Sequence, residues 1–303
     1  MGAVGRLHRG SPIGKEILTG VADQYRKLRN TFRYLLGALD GFTEEERVTD
    51  VAAMPELERY MLSLLADLDG KLARAVDDFD YNSYTRLLAD FCNEDLSAFY
   101  FDIRKDVLYC DLGPAAPLGT DTRRAYRSVL DVLFHALVRY AAPVLVFTSE
   151  EVWGTRYPDA SSVHLLEWPT VDAHWKDQTL ERKMALAKSL RGHANLEIEV
   201  LRREKIIRSS LEAELTIKLD KEENLDLLAD LDLPELLISS SVTMSALGQS
   251  ALPPLVEATN YGGGSVTVTR TENHKCGRCW RHLPEVETDG ALCNRCDTVL
   301  TAA

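Results

Sequence analysis

The run EILTGVADQYRKLRNTFRYLLGAL, residues 16–39, decides how this chain folds. Ile17, Val21, Tyr25, Leu28, Phe32, Leu35 and Leu39 recur at spacings of three and four. That pattern predicts one amphipathic helix whose apolar stripe is buried against other helices. Beside it runs a second stripe of Ala22, Arg26, Arg29, Arg33 and Leu36, with Lys27 and Asn30 alongside. Such a flank is either an ordinary solvated face or a surface for phosphates, and periodicity alone does not separate the two.

Further amphipathic helices follow. Leu57, Met61, Leu64, Leu68, Leu72 and Val76 predict a second, with Pro55 in its first turn. Tyr84, Leu87, Leu88, Phe91, Cys92, Leu96 and Phe99 predict a third. A fourth starts at Thr120 or Asp121, a natural N-cap, and ends near Pro143, whose ring clashes with the preceding turn. Residues 143–153 read as a short fifth helix. Long amphipathic helices joined by modest loops make an antiparallel bundle.

Beyond the bundle, residues 175–207 read as one long charged helix ending in Arg202, Arg203, Lys205 and Arg208. Leu211, Ala213, Leu215, Ile217 and Leu219 then alternate with polar residues, the period of a half-buried strand. A short helix over 225–231 and strands within 236–247 and 266–269 complete a small α+β unit. Gly262-Gly263-Gly264-Ser265 reads as a flexible joint or hairpin tip. The expected organisation is an unstructured leader at 1–14, a helical domain at 15–170, a long helix with an α+β domain at 171–270, and a metal knuckle at 271–303. The fold class is mainly α.

Cys276-Gly277-Arg278-Cys279 and Cys293-Asn294-Arg295-Cys296 form two CxxC pairs thirteen residues apart. Each CxxC turn aims two sulfurs at one point, and two such turns close a tetrahedral four-thiolate site. The metal expected is one structural zinc, with no open position for catalysis. His274 and His282 are expected to face solvent as non-ligands. Cys92 and Cys110 are expected to stand alone in apolar surroundings. Lys275, Arg278, Trp280, Arg281 and Arg295 surround the knuckle. Cations beside an exposed aromatic suit phosphates and base stacking, whereas a Trp280 laid over the zinc core would leave ordinary surface charge.

The net charge of −12 provides no broad positive field, so nucleic-acid binding has to use local basic patches. No stretch approaches the length of a membrane span. CxxC pairs used for metal rather than disulfides fit a reducing cytoplasm.

Tyr25-Arg26-Lys27-Leu28-Arg29-Asn30-Thr31-Phe32-Arg33-Tyr34-Leu35-Leu36-Gly37 resembles the opening helix of the anticodon-binding domain in isoleucyl-tRNA synthetases. The run from Phe91 to Tyr100, then Lys105-Asp106-Val107-Leu108-Tyr109, is similar to a second signature of class I synthetase anticodon domains. Phe147 to Trp153, then Ser162-Val163-His164 and Trp168-Pro169, resemble later ones. Lys205 to Ala213 resembles a helix-to-strand joint of the isoleucyl enzymes, with Arg208 where the family usually has Gly, so a different turn is expected. Lys275 to Trp280 resembles the C-terminal zinc motif of bacterial isoleucyl enzymes.

The resemblance implies binding of the tRNA(Ile) anticodon stem-loop, with Arg26, Lys27, Arg29, Asn30, Arg33, Arg278 and Trp280 as contacts and Cys276, Cys279, Cys293 and Cys296 as zinc ligands. Neither a HIGH nor a KMSKS motif is present. The chain therefore reads as part of an isoleucine-tRNA ligase without a catalytic site of its own. Its expected partners are the tRNA and a separate catalytic half, with no membrane or DNA. The alternative is a free-standing zinc-containing module that binds RNA or protein.

Overall fold

The structure, a computed structural model, describes residues 14–246, 259–261 and 264–301. Apart from Gly14, the expected leader lies outside the described residues, as do Gly262 and Gly263 of the expected joint.

Helix α1 spans Lys15–Ala38. Leu28, Phe32 and Leu35 are buried on the predicted stripe, and Leu39 is buried at the C-cap. The front of the stripe departs from expectation: Ile17 is 61% exposed and Val21 59%. The bundle packs against α1 only from Leu28 onward, apart from the Tyr25 hydroxyl, which lies 3.1 Å from Thr148 Oγ1. Periodicity defines an apolar face but cannot say how far along it a partner reaches.

Helix α2 spans Glu56–Asp77, with Pro55 at its N-cap rather than in its first turn. Helix α3, Tyr81–Asp90, starts where the Asp80 carboxylate accepts from Ser83 N at 3.0 Å. It runs unbroken into a π-helical stretch, Phe91–Tyr100, and on into α4, Phe101–Cys110. The predicted third helix is therefore longer than its apolar pattern indicated. Within the wide turn, Ser97 Oγ donates to Cys92 O at 2.9 Å, supplying a local partner to a carbonyl of the altered ladder.

Helix α5, Asp121–Ala141, is the central pillar. Thr120 caps it, accepting from Arg123 N at 3.3 Å. Tyr126, Leu130, Leu133, Phe134, Leu137 and Tyr140 are fully buried along it. Helix α6, Val146–Arg156, begins three residues beyond Pro143.

Buried charges tie the elements together. Arg127 pairs with Glu46 and donates to the carbonyls of Ala38 and Asp40, fixing the loop after α1. Arg104 on α4 meets Glu58 of α2 and Glu235 at 2.7 Å each. Removing one partner of such a pair leaves an uncompensated buried charge, so these sites resist substitution.

Helix α7, Gln178–Arg203, is capped by Asp177 and ends earlier than the expected 207. The turn after it places Lys205 in the left-handed region (φ +61°), three residues before Arg208. Strand β1, Ala213–Leu219, buries Ala213, Leu215, Ile217 and Leu219, as its alternation predicts. Helices α8, Glu222–Leu228, and α9, Leu233–Leu237, precede β2, Ser241–Ala246. The strand expected over 236–247 thus starts late, because Leu236 and Leu237 end α9 and Ile238 turns left-handed behind them (φ +51°).

Strands β3, Thr259–Tyr261, and β4, Gly264–Arg270, complete a four-stranded sheet in the order β2-β1-β4-β3. The pair β1/β2 is parallel, while β1/β4 and β3/β4 are antiparallel. One hydrophobic core continues from α1 and α5 through α7 to β1 and β4.

Candidate nucleic-acid interface and metal centre

Cys276, Cys279, Cys293 and Cys296 are all buried, and their sulfurs lie within 4.8 Å of one another. Cys279 Sγ and Cys293 Sγ are 3.8 Å apart, and Cys293 N donates to Cys276 Sγ at 3.3 Å. Gly277 permits this closure, since a Cβ there would stand 2.4 Å from Gly290 O. Burial pushes the Cys276 thiol up, but backbone N–H groups of Arg278, Cys293 and Cys279 outweigh it and bring it down to about 6. Cys279 and Cys296 are pushed up, first by burial and then by their neighbours' negative charge. Four buried sulfurs within 4.8 Å of one another, from two CxxC turns, fit a single divalent zinc held by four thiolates. This is the structural zinc predicted from the sequence. It closes the knuckle and leaves no coordination position for chemistry.

Helix α10, Asn294–Leu300, begins within the second CxxC turn, with Cys293 as its N-cap, and fastens the knuckle to the end of α4. Arg295 Nη2 donates to both Asp106 oxygens at 2.8 and 2.7 Å, and Arg295 Nη1 lies 3.5 Å from Asp111. Arg295 is thus a structural strap and not a free cation, a correction to the sequence reading. Ala115 N donates to Val299 O at 3.1 Å, and Gly113 packs so closely that a Cβ would meet Val299 O at 2.5 Å. Cys110 is not isolated: it belongs to the apolar cluster of the four knuckle cysteines. Cys92 is buried in the main core. His274 is exposed as expected, but His282 is half-buried, with Nδ1 2.8 Å from Asn273 O.

Trp280 does not cover the zinc core. It is 61% exposed in a left-handed conformation (φ +64°), with Lys275 Nζ 5.2 Å from its ring centre. Arg278 is partly engaged, Nη2 donating to Leu112 O at 2.7 Å.

On α1, Arg26, Lys27, Arg29, Asn30 and Arg33 are all exposed. Arg26 pairs with Asp23 at 2.6 Å, and Arg29 reaches Glu151 at 3.4 Å on the surface, where such pairs contribute little. Lys27, Asn30 and Arg33 have no side-chain ion pair or hydrogen bond among the described residues. Asn30 and Arg33 border a shallow cleft of about 340 Å³ whose far wall is Tyr109.

Tyr109 joins the two regions. It is 70% exposed at the end of α4, and it also borders a larger cavity of about 530 Å³ walled by Arg278, Trp280 and Arg281. Residues 30 and 280, distant in sequence, therefore share one surface through this ring. In the sequence Tyr109 stands out only as the end of the Lys105–Tyr109 motif. The available signal was an aromatic off the apolar stripe of its helix, flanked by the buried Leu108 and Cys110.

Comparison with known proteins agrees with this construction. Residues 58–217 match the model for the anticodon-binding domain of tRNA ligase, and residues 273–299 match that for the zinc finger found in FPG and IleRS. Over 288 residues the chain is 57% identical to the isoleucine–tRNA ligase of Zymomonas mobilis subsp. mobilis, covering 95% of this chain and 29% of that protein. It is 44% identical to the isoleucine–tRNA ligase of Ruegeria pomeroyi over 95% of this chain, and 45% identical to that of Gluconobacter oxydans over 96%. The chain spans 29% of the length of each of these relatives.

Proposed function

We propose, on the premise that this chain belongs to the anticodon-binding domain family of tRNA ligases, that it binds the anticodon stem-loop of an isoleucine tRNA. The binding serves isoleucyl-tRNA aminoacylation in the cytoplasm. The observation that carries this reading is the shared surface on which Asn30 and Arg33 of α1 meet Tyr109 and, beyond it, Arg278 and Trp280. On a protein of net charge −12, this face combines exposed cations with exposed aromatics. Single-stranded loops are recognised by such groups, through stacking of splayed bases and hydrogen bonding to phosphates and base edges.

Arg26, Lys27, Arg29, Asn30 and Arg33 take one side of the stem-loop in this reading, and the knuckle takes the other. The functional units we assign are 15–170, 171–270 and 271–303, the third strapped to the first through Arg295 and Asp106. Activation of the amino acid belongs to a catalytic portion such as the longer relatives would carry, either as a separate half or as another region of the same protein. Purified alone, the chain is expected to show no isoleucine-dependent exchange of pyrophosphate into ATP.

The test is affinity for an isoleucine-tRNA anticodon stem-loop at two salt concentrations. Arg29→Ala with Arg33→Ala should weaken binding by about 1–3 kcal/mol per base contact, and should flatten the salt dependence where the contact is to phosphate. Undiminished affinity in the double variant would return α1 to ordinary surface, whereas absence of stem-loop binding by the unaltered chain would leave the protein-interaction module as the better reading.

A further inference from the structure

We propose that Cys110 and Cys279 form an oxidative modification site, at which hydrogen peroxide joins α4 to the knuckle by a disulfide and displaces the metal. This does not depend on the RNA-binding reading. It rests on the four-sulfur site and on one further cysteine beside it.

Cys110 is the last residue of α4, and its Sγ donates to the carbonyl of Arg278, the residue before Cys279, at 3.9 Å. It shares one buried cluster with the four ligands, so five cysteines meet here and a four-sulfur site uses only four. Access then singles out two of the five. Cys110 and Cys279 border the cavity of about 530 Å³, whereas Cys276, Cys293 and Cys296 do not. The same two retain 8% and 7% of their surface, against 1% or less for the other three. A peroxide molecule is little larger than water, whose share of liquid is about 30 Å³, so the cavity admits it.

The two sulfurs differ in chemistry. Cys279 belongs to the ligand set and is held as a thiolate, the nucleophilic form, while Cys110 lies outside the set and stays a thiol. The Cys279 sulfur attacks one peroxide oxygen, the O–O bond breaks, and a sulfenic acid and hydroxide result. The Cys110 sulfur then attacks the Cys279 sulfur. The S–O bond breaks, and the departing hydroxide takes the Cys110 proton away as water. The two sulfurs together give up two electrons, and the peroxide ends as water and hydroxide. Cys110 is the resolving thiol because the three remaining ligands are still engaged by the metal. The competing product is a disulfide between ligands, since Cys293 Sγ lies 3.8 Å from Cys279 Sγ. Either product removes Cys279 from the set, and three sulfurs hold the metal less well. Only the Cys110 disulfide also pins the emptied knuckle to the bundle.

The experiment treats the full chain, loaded with zinc, with hydrogen peroxide, then blocks free thiols by alkylation and digests with trypsin. Cleavage after Lys105, Arg123, Lys275, Arg278, Arg281 and Arg295 leaves Cys110, Cys276, Cys279, Cys293 and Cys296 on separate peptides, so each disulfide has its own mass. Residues 106–123 joined to 279–281 are expected as the main product, in step with zinc release to a metal-sensing dye. Dithiothreitol with added zinc should reverse both. Cys110→Ala should lose the link and carry Cys279 on to sulfinic acid, which dithiothreitol does not reduce, so its zinc is not regained. Helicity and zinc content before oxidation show whether that variant is folded, and the peptide map of the unaltered chain decides the matter without it. Cys110 recovered fully alkylated after zinc release, with disulfides confined to the four ligands, would overturn the proposal. So would full retention of zinc and thiols under peroxide that oxidises glutathione in the same tube, or a folded Cys110→Ala that regains its zinc on reduction.

Discussion

Arg33 on α1 and Arg295 on α10 carry the same charge, yet one lies exposed with no ion pair among the described residues and the other clasps Asp106 with two hydrogen bonds. The first region leaves its cations to the solvent, and whatever holds α1 is the apolar half-stripe of Leu28, Phe32 and Leu35 beneath them. The knuckle has little apolar mass of its own, with Val286 and Val299 buried among its cysteines and α10. It depends on metal for its fold and on Arg295 for its seat. Cationic side chains near a candidate ligand face thus fall into two groups, those that hold the protein together and those that remain available. Only the partners found in three dimensions separate them.

The contrast is broken most severely by removing the metal. Cys276→Ser or Cys296→Ser should abolish stoichiometric zinc and unfold the knuckle, since zinc contributes on the order of 10 kcal/mol to small thiolate-held segments. The bundle should keep its helical circular dichroism. Metal analysis beside far-ultraviolet spectra checks both halves, and an ordered knuckle without zinc would erase the difference between the regions.

Phe32→Ala should act on the other region alone. A buried aromatic lost from the main core costs about 3–5 kcal/mol, read as a lowered melting midpoint with zinc content unchanged.

Arg295→Ala should cost about 1.5–3 kcal/mol, the value of hydrogen bonds to a charged group, and the loss should be confined to seating of the knuckle. Faster proteolysis of residues 271–301 with an unaltered bundle melt would mark it. Arg33→Ala should change stability by no more than about 0.5 kcal/mol, as for an exposed residue outside any network. If Arg33→Ala destabilised the protein as much as Arg295→Ala, the distinction between available and structural cations would fail.

Much of this could be read from the sequence because the informative signals are local. The two CxxC pairs carry their own geometry, and Thr120 announces α5 before any partner is known. The alternation from Ala213 to Leu219 fixed one buried face of a strand. What could not be read depended on distant residues. The front of α1 has the same periodicity as its buried half, and only the extent of the bundle exposes Ile17 and Val21. The strap role of Arg295 required Asp106, nearly two hundred residues away, and Cys110 joined the knuckle cluster only once α10 had docked. The π-helical stretch was not legible in the sequence, because it is defined by which carbonyl each N–H meets and not by residue type.

The close approach of Gly113 to Val299, together with the Arg295 strap, has a consequence for how tightly two weak faces can act. A finger hanging from a flexible tail would meet its ligand as a second, independent encounter and would lose its rotational freedom on contact. Here that freedom is already lost on folding. A ligand that touches α1 finds the knuckle at a fixed spacing, so the second contact acts at a high effective concentration, and each face can be individually weak while the pair is tight.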